Sequence, residues 1–226
     1  MARVVSKGCC SFCQRSFTKT GMTRHLPSCA ARPDELALGI SGRKWPTRVF
    51  HLVVSTRFPS EYWLQVEAVA EATLDDLDGL LRSVWVECCD HLSDFRLGER
   101  TFFRSSERAG WSEDQPTSIA LGQLVSPGQE LQYRYDFGST TELTIRVSGE
   151  RQGRPPEHIA VIARNDSPLI PCSTCGAAAA YACLERRWSA RRWLSDGCAA
   201  SHSHDEDARM RVVNSPRTGV CGGDAA

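Results

Sequence analysis

The sequence lacks long apolar segments and the patterns of common catalytic sites. No run of about 18 apolar residues occurs, so no membrane-spanning helix is expected. The opening residues MARVVSK lack the apolar core of a signal peptide, which predicts a soluble, cytoplasmic protein. Asp136-Phe137-Gly138 has no accompanying Gly-rich loop or catalytic His-Arg-Asp, which excludes a kinase. No Ser/His/Asp or Cys/His triad can be assembled, so the sequence favours a non-enzymatic protein.

The composition predicts one main domain with small appended modules. The chain has 226 residues, 41% of them hydrophobic, which is enough for one ordinary core. Its net charge of zero is unevenly distributed. Residues 1–33 contain six basic side chains and no acidic one, whereas residues 34–176 contain 14 basic and 21 acidic side chains. This segregation is compatible with nucleic-acid contact through the N-terminal module only.

The cysteines favour metal binding over disulfides. Eight of the eleven lie in clusters with histidine at ligand spacing, and no export signal is present. The N-terminal cluster has a tight Cys-x-x-Cys pair, then eleven residues, then His-x-x-x-Cys. Two thiolates on a knuckle and two ligands on one helical face suit tetrahedral zinc. The predicted zinc ligands of this module are Cys10, Cys13, His25 and Cys29.

The rest of the N-terminal module resembles a ββα zinc finger of Cys-Cys-His-Cys type. Phe17 and Met22 fall where such a finger places its small core, and Cys9 is interpreted as a bystander. The alternative is a disordered basic arm with incidental cysteines, which does not account for Phe17 and Met22.

Nucleic-acid contact by this finger would depend on few side chains. The base-reading helix positions −1, 3 and 6 fall on Thr18, Gly21 and Arg24, of which only Arg24 can contact a guanine through two hydrogen bonds. The basic face formed by Arg15, Lys19 and Arg24 could instead hold DNA or RNA phosphates. Contact with a protein partner is an equally open alternative.

Alternating hydrophobicity predicts two β-hairpins in the central region. Residues 131–137 and 143–147 alternate on either side of a polar turn at 138–140. Residues 49–55 and 62–69 form a second strand-like pair around a proline-containing turn. The fold class predicted is α+β, with a small antiparallel sheet packed by one main helix.

That helix is predicted to begin after Thr73, the N-cap. Acidic residues in its opening turns suit the positive end of the helix dipole, and we interpret them as capping groups, not metal ligands. The apolar stripe consists of Leu74, Leu77, Leu81, Val84 and Cys88. His51 and the sequence Cys88-Cys89-Asp90-His91 are interpreted as structural. Further along, 95–97 is predicted as a strand and 119–125 as a short helix or turn.

The C-terminal region contains a second predicted zinc knuckle, Cys172-Ser-Thr-Cys175, followed by Gly176. One ion would be held by these two cysteines and two of the later donors, which are Cys183, Cys198, His202, His204 and Cys221. A degenerate, partly disordered tail is the alternative. The arginines and tryptophans of residues 186–193 could pair phosphates and stack bases, but their near-helical spacing favours a helix that buries Trp188 and Trp193 and exposes the arginines.

Several motifs together resemble the plasmid pRiA4b ORF-3-like family. They are Thr73-Leu74-x-x-Leu77, His91-Leu92-x-x-Phe95, Pro127-Gly128 and Tyr133-x-Tyr135-Asp136-Phe137-Gly138, within residues 48–150. Members also appear as a passenger protein, labelled TnpR, in an insertion element. The resemblance implies an α+β fold and a family without an established biochemical activity.

Two departures from the family pattern concern its candidate sites. The family usually has Asp and then an aromatic residue after the hairpin glycine, where Ser139 and Thr140 stand here, so a hairpin site at Tyr135, Asp136 and Gly138 would be weakened. The tail, including the sequence from Asn214 to Gly222, looks like the zinc-binding tail of some members. Those members carry further Cys-x-x-Cys pairs, whose missing partners correspond to Arg186 and Ser195.

The sequence therefore predicts a zinc finger at 1–32, a linker at 33–47, an α+β domain at 48–168 and a Cys/His-rich tail at 169–226. The predicted function is a non-enzymatic, zinc-binding adaptor that contacts nucleic acid or a protein and is associated with mobile elements or plasmids. One alternative is a recombination or resolution enzyme, since Arg3-Val-Val-Ser6 faintly imitates a recombinase serine. Another is a pure protein-interaction module.

Overall fold

The computed structural model describes residues 5–33, 45–87, 89–103 and 115–220. The chain divides into two compact units, one of residues 1–81 with 92–166 and the other of residues 82–91 with 167–226. Within the described segments, every helix is too short or too polar to cross a membrane.

The first unit is built on a ten-stranded sheet. Its strands are β1 (Lys7–Cys10), β2 (Ser16–Thr18), β3 (Thr47–Thr56), β4 (Trp63–Val69), β5 (Ser93–Leu97), β6 (Arg100–Phe103), β7 (Gln115–Pro116), β8 (Glu130–Tyr135), β9 (Thr141–Gly153) and β10 (Ile159–Asn165). The order across the sheet is β2-β1-β10-β4-β3-β9-β8-β5-β6-β7. All neighbouring pairs are antiparallel except β6 and β7. The α+β class is thus confirmed, but the prediction of a small sheet is wrong.

Both predicted hairpins are present. Strand β8 pairs with β9, and Tyr133 lies opposite Leu143, as the alternation of buried and exposed positions requires. Strand β3 pairs with β4 from Val49↔Val69 to Ser55↔Trp63. The strand predicted at 95–97 is confirmed within β5.

Three short helices accompany the sheet: α1 (Lys19–His25), α2 (Leu74–Leu81) and α3 (Leu121–Leu124). Helix α2 begins as predicted, since Thr73 Oγ1 accepts the Asp76 amide and the Asp76 carboxylate accepts the Thr73 amide. The Asp78 carboxylate is buried and accepts the hydroxyls of Ser93 and Tyr133, each at 2.8 Å. Asp78 therefore has a structural role, but as a buried hydrogen-bond acceptor and not as the capping group that was predicted.

The sheet is larger than predicted because β10 joins two regions that are distant in sequence. On one side β10 pairs with β4, and on the other it pairs with β1 of the N-terminal module. The Ser11 amide and hydroxyl both donate to the Ile162 carbonyl. The β1–β2 hairpin of the module is therefore the continuation of one sheet edge.

Polar side chains on β4 fix the N-terminal module to the sheet. Gln65 donates to Thr23 Oγ1 at 3.0 Å and to the Lys19 carbonyl at 3.3 Å, and it also contacts His51 Nε2 at 2.7 Å. Burial lowers the pKa of His51, although its hydrogen bond with Gln65 acts in the opposite direction. The interpretation of His51 as a hydrogen-bonded sheet residue is confirmed.

Glu67, also on β4, forms buried ion pairs with two arginines. It pairs with Arg32, which follows the metal-ligand region, and with Arg151 on β9 at 2.9 Å. Burial alone raises the pKa of Glu67, but the hydrogen bonds and charges of Arg151 and Arg32 outweigh it and hold the pKa below the ordinary value. Glu67 is thus an ionised group that joins the N-terminal module to the centre of the sheet.

The second unit has a three-stranded sheet, with β11 (Tyr181–Cys183) between β12 (Trp193–Leu194) and β13 (Arg209–Arg211), and helix α4 (Asp196–Ala200). The predicted tryptophan-burying helix is wrong. Two 3-10 turns, Leu184–Arg186 and Ala190–Arg192, stand in its place, and Trp188 is 89% exposed. The reason is local, because the Ser189 hydroxyl accepts the Arg191 amide and begins a new turn.

The apolar stripe predicted along the central helix is correct only over α2. Leu74, Leu77 and Leu81 are buried, but a π-helical turn, Arg82–Val86, changes the periodicity. In that turn Trp85 and Val86 are buried and Val84 is only half-buried. Cys88 lies outside the described residues, and the helix predicted at 119–125 is present as α3.

Glu67→Gln is expected to lower the free energy of unfolding by about 3 kcal/mol, because it leaves two partly buried guanidinium groups without their carboxylate. Urea denaturation measures this change. The matched control is Glu150→Gln, since Glu150 forms a half-exposed ion pair with Arg48 at 3.7 Å and its removal should cost roughly 0–1 kcal/mol.

The effect of Glu67→Gln should also depend on pH. Because the folded-state pKa of Glu67 is lowered, its contribution is complete above the unfolded-state value of about 4.3 and is lost as pH falls through the folded-state pKa. The stability difference between wild type and variant should therefore shrink on acidification from pH 7 to pH 3. A difference that stays constant over this range would contradict the ion-pair account.

Candidate metal centres

The structure brings the four predicted N-terminal ligands together. Cys10 ends β1, Cys13 lies in the turn before β2, His25 ends α1, and Cys29 follows a 3-10 turn at Leu26–Ser28. Their donor atoms all lie within 4.8 Å of one another. The helical face predicted for the last two ligands is replaced by the end of an α-helix followed by this tighter turn.

The distances in this cluster fit a tetrahedral ion. Cys10 Sγ and Cys29 Sγ are 4.0 Å apart, and Cys13 Sγ is 3.2 Å from His25 Nε2. Zinc–sulfur and zinc–nitrogen bonds of about 2.3 and 2.0 Å place two tetrahedral sulfurs about 3.8 Å apart and a sulfur and a nitrogen about 3.5 Å apart. The sulfurs are too far apart for a disulfide, whose bond is about 2.05 Å.

A hydrogen-bonded backbone turn positions Cys10 and Cys13, the two cysteines of the N-terminal knuckle. Gln14 has φ +59°, its amide donates to the Cys10 carbonyl at 2.9 Å, and the Cys10 amide donates to the Arg15 carbonyl at 3.0 Å. A hydrogen bond from the Arg15 amide is the main cause of the lowered pKa of Cys13. Burial is the main cause that raises the pKa of Cys10. Amide groups directed at the sulfurs stabilise the thiolate form that binds metal.

The histidine is held in the form that binds metal. Its ring stacks on Phe17, with the ring centroids 4.2 Å apart. Burial, and then the charge of Arg15, lower the pKa of His25, which favours the neutral imidazole that a metal requires. Met22 and Leu26 are fully buried beside the cluster, so the small core predicted from Phe17 and Met22 is present.

The second unit has a matching knuckle. Gly176 has φ +76°, its amide donates to the Cys172 carbonyl at 3.0 Å, and the Cys172 amide donates to the Ala177 carbonyl at 2.6 Å. These hydrogen bonds repeat those at Gln14 and Cys10. Cys198, in α4, places its sulfur with those of Cys172 and Cys175, all within 4.8 Å. Glycine at 176 was the sequence signal for this turn, whereas Gln14 gave no such signal.

The remaining described donors of the tail form a separate group. The Cys183, His202 and His204 donor atoms also lie within 4.8 Å of one another. Cys183 Sγ is 3.3 Å from His204 Nδ1, which is 3.2 Å from His202 Nε2. The sequence predicted one site drawn from all these donors, but the structure separates them into two clusters of three. Cys221 lies outside the described residues.

The predicted basic side chains lie on the N-terminal module. Arg15 and Arg24 are exposed and Lys19 is half-buried. The Arg15 guanidinium lies over the Phe17 ring, 5.4 Å from its centroid. These three residues are therefore available to a partner to different degrees.

The candidate hairpin site consists of structural groups. Tyr135 is fully buried. Asp136 has φ +62°, and its Oδ1 accepts the amides of Gly138 at 3.0 Å and Ser139 at 3.2 Å. This arrangement is an Asx turn, which gives Asp136 a structural role.

Comparison with known proteins places the central region and much of the tail in one family. The family model of the plasmid pRiA4b ORF-3-like protein matches residues 51–206. A search of curated proteins found no match. The crystal structure of a protein of unknown function from Methanosarcina mazei Go1 is similar, with 19% identity and a TM-score of 0.44 over 52% of this chain and 68% of that chain. Because the family model covers more than half of the sequence, the resemblance drawn from the hairpin motif is confirmed, and the chain belongs to the plasmid pRiA4b ORF-3-like protein family.

Proposed function

We propose that the protein is a non-enzymatic zinc-binding adaptor whose basic N-terminal module contacts nucleic-acid phosphates. The observation that supports zinc is the N-terminal cluster, in which three thiols and one imidazole converge at tetrahedral separations. Thiolate and imidazole donors select zinc over the oxygen-seeking ions magnesium and calcium. Four protein donors fill a tetrahedral ion, which is the pattern of a structural site and not of a catalytic one.

A structural zinc would organise a partner-binding surface on a rigid base. The N-terminal module contributes two strands to the sheet and is fixed by Gln65 and Glu67. Its described residues 5–33 contain basic side chains and no acidic one, so a polyanion is the partner whose charge fits best.

The geometry of α1 supports phosphate contact without base reading. Thr18 is the N-cap and its hydroxyl accepts the Gly21 amide at 3.2 Å. The Thr18 hydroxyl is thus used in capping, and Gly21 has no side chain that could contact a base. Met22 faces the buried cluster. Arg24 alone is left as a base reader, and one reader gives little sequence discrimination.

The enzymatic alternative has less support. Ser6, the recombinase-like serine, accepts the Trp63 indole N–H at 3.1 Å, and the adjacent β1 continues directly into the metal cluster. Arg3 lies outside the described residues. An association with plasmids or mobile elements, including a TnpR-like role, is part of the proposal and rests on the family resemblance alone.

Cys13→Ala is expected to remove one equivalent of zinc from the purified protein and to lower its melting temperature, because a structural site contributes its binding energy to folding. Metal analysis and thermal melting measure both effects. The matched control is Cys9→Ala, since Cys9 is an exposed neighbouring cysteine outside the cluster and its loss should change neither quantity. Equal zinc content in both variants would refute the N-terminal site.

The double change Arg15→Ala with Arg24→Ala is expected to weaken DNA and RNA binding uniformly across sequences. The slope of log K against log salt should fall in magnitude by roughly 2, since each duplex phosphate contact contributes about 0.9. Electrophoretic shift at increasing salt measures this. Arg146→Ala, an exposed arginine on β9, is the charge control. If wild type binds neither nucleic acid at low salt, the partner of the adaptor is a protein.

A further inference from the structure

Ser195 lies beside the Cys172–Cys175–Cys198 cluster. The three sulfurs lie within 4.8 Å of one another, as the corners of one face of a tetrahedron do. Ser195 Oγ is 3.3 Å from Cys175 Sγ. In a tetrahedral zinc site with bonds of about 2.3 Å to sulfur and 2.0 Å to oxygen, a sulfur and an oxygen are about 3.5 Å apart.

We propose that Ser195 Oγ is the fourth ligand of a zinc ion held by Cys172, Cys175 and Cys198. This inference rests on the proposed zinc chemistry of the protein. On binding, the three thiols release their protons to solvent, and the serine coordinates through an oxygen lone pair. Three thiolates and one zinc ion give a net charge of −1. A neutral hydroxyl leaves that charge unchanged, whereas a fourth thiolate would make it −2.

The local backbone holds this hydroxyl in place. Ser195 is the N-cap of α4, and its Oγ accepts the Cys198 amide at 3.4 Å. Capping uses one lone pair of the oxygen and leaves another for a metal. The resemblance to the family's zinc-binding tail implies that a cysteine is missing at position 195, three residues before Cys198. The structure assigns that position an oxygen donor.

The decisive experiment separates ligation from capping. Glycine caps a helix nearly as well as serine does but has no side-chain donor, whereas aspartate caps a helix and also offers zinc an oxygen. The zinc affinity of the full chain is measured by competition with a chromophoric chelator for wild type, Ser195→Gly, Ser195→Asp and Ser195→Cys. Ser195→Gly should weaken one site by at least about tenfold, while Ser195→Asp and Ser195→Cys retain it. Equal affinities for wild type and Ser195→Gly would overturn the proposal.

Cadmium-113 NMR of the full chain identifies which site changes, because the chemical shift depends on the donor atoms. Ser195→Cys should move one resonance towards the four-sulfur range and leave the resonance of the N-terminal cluster unchanged. If that cluster binds metal and the tail binds none in any variant, this inference fails and the proposed zinc function stands. If no site binds metal, both fail. Ser201→Ala, in the residue that follows α4, is the control and should leave all resonances in place.

Discussion

The central constraint on the N-terminal module is that four donors from four local structures must converge on one point beside a sheet edge. Pairing of β1 with β10 fixes the alternation of the two adjacent cysteines, so that Cys10 is buried and Cys9 is exposed. The knuckle then brings Cys13 back towards Cys10, and α1 ends at His25. A displacement of β1 by one residue would exchange the two cysteines and destroy the site.

A module of this size cannot stabilise itself through its core alone, and the structure shows two sets of contacts with the sheet that supplement the proposed ion. Below about 40 residues, folded domains usually need a metal, disulfides or docking against another surface. Here Met22 and Leu26 pack with Trp63 of β4. Gln65 and Glu67 satisfy polar groups at the same place. The proposed ion and the sheet contacts are therefore coupled. The sheet contacts hold the segments that carry the ligands, and the ion would hold those same segments in the arrangement that contacts the sheet.

Local patterns predicted most of the central hairpins and helix, since the signals of alternation and capping lie within a few residues of one another. Tyr133 opposite Leu143 and the Thr73–Asp76 capping box are examples. Ligand spacing also predicted the N-terminal donors. The pairing of β1 with β10 was missed because Ser11 and Ile162 are 151 residues apart, and no local pattern specifies such a partner. For the same reason, spacing found the tail donors but not their division into two clusters.

The most direct test of the account is anomalous diffraction at the zinc absorption edge from crystals of the protein. The account predicts a strong peak between Cys10, Cys13, His25 and Cys29, about 2.0–2.3 Å from each donor atom, with the strands of the N-terminal module continuous with the sheet. The absence of a peak, with the four side chains turned away from one another or two sulfurs joined in a disulfide, would contradict it.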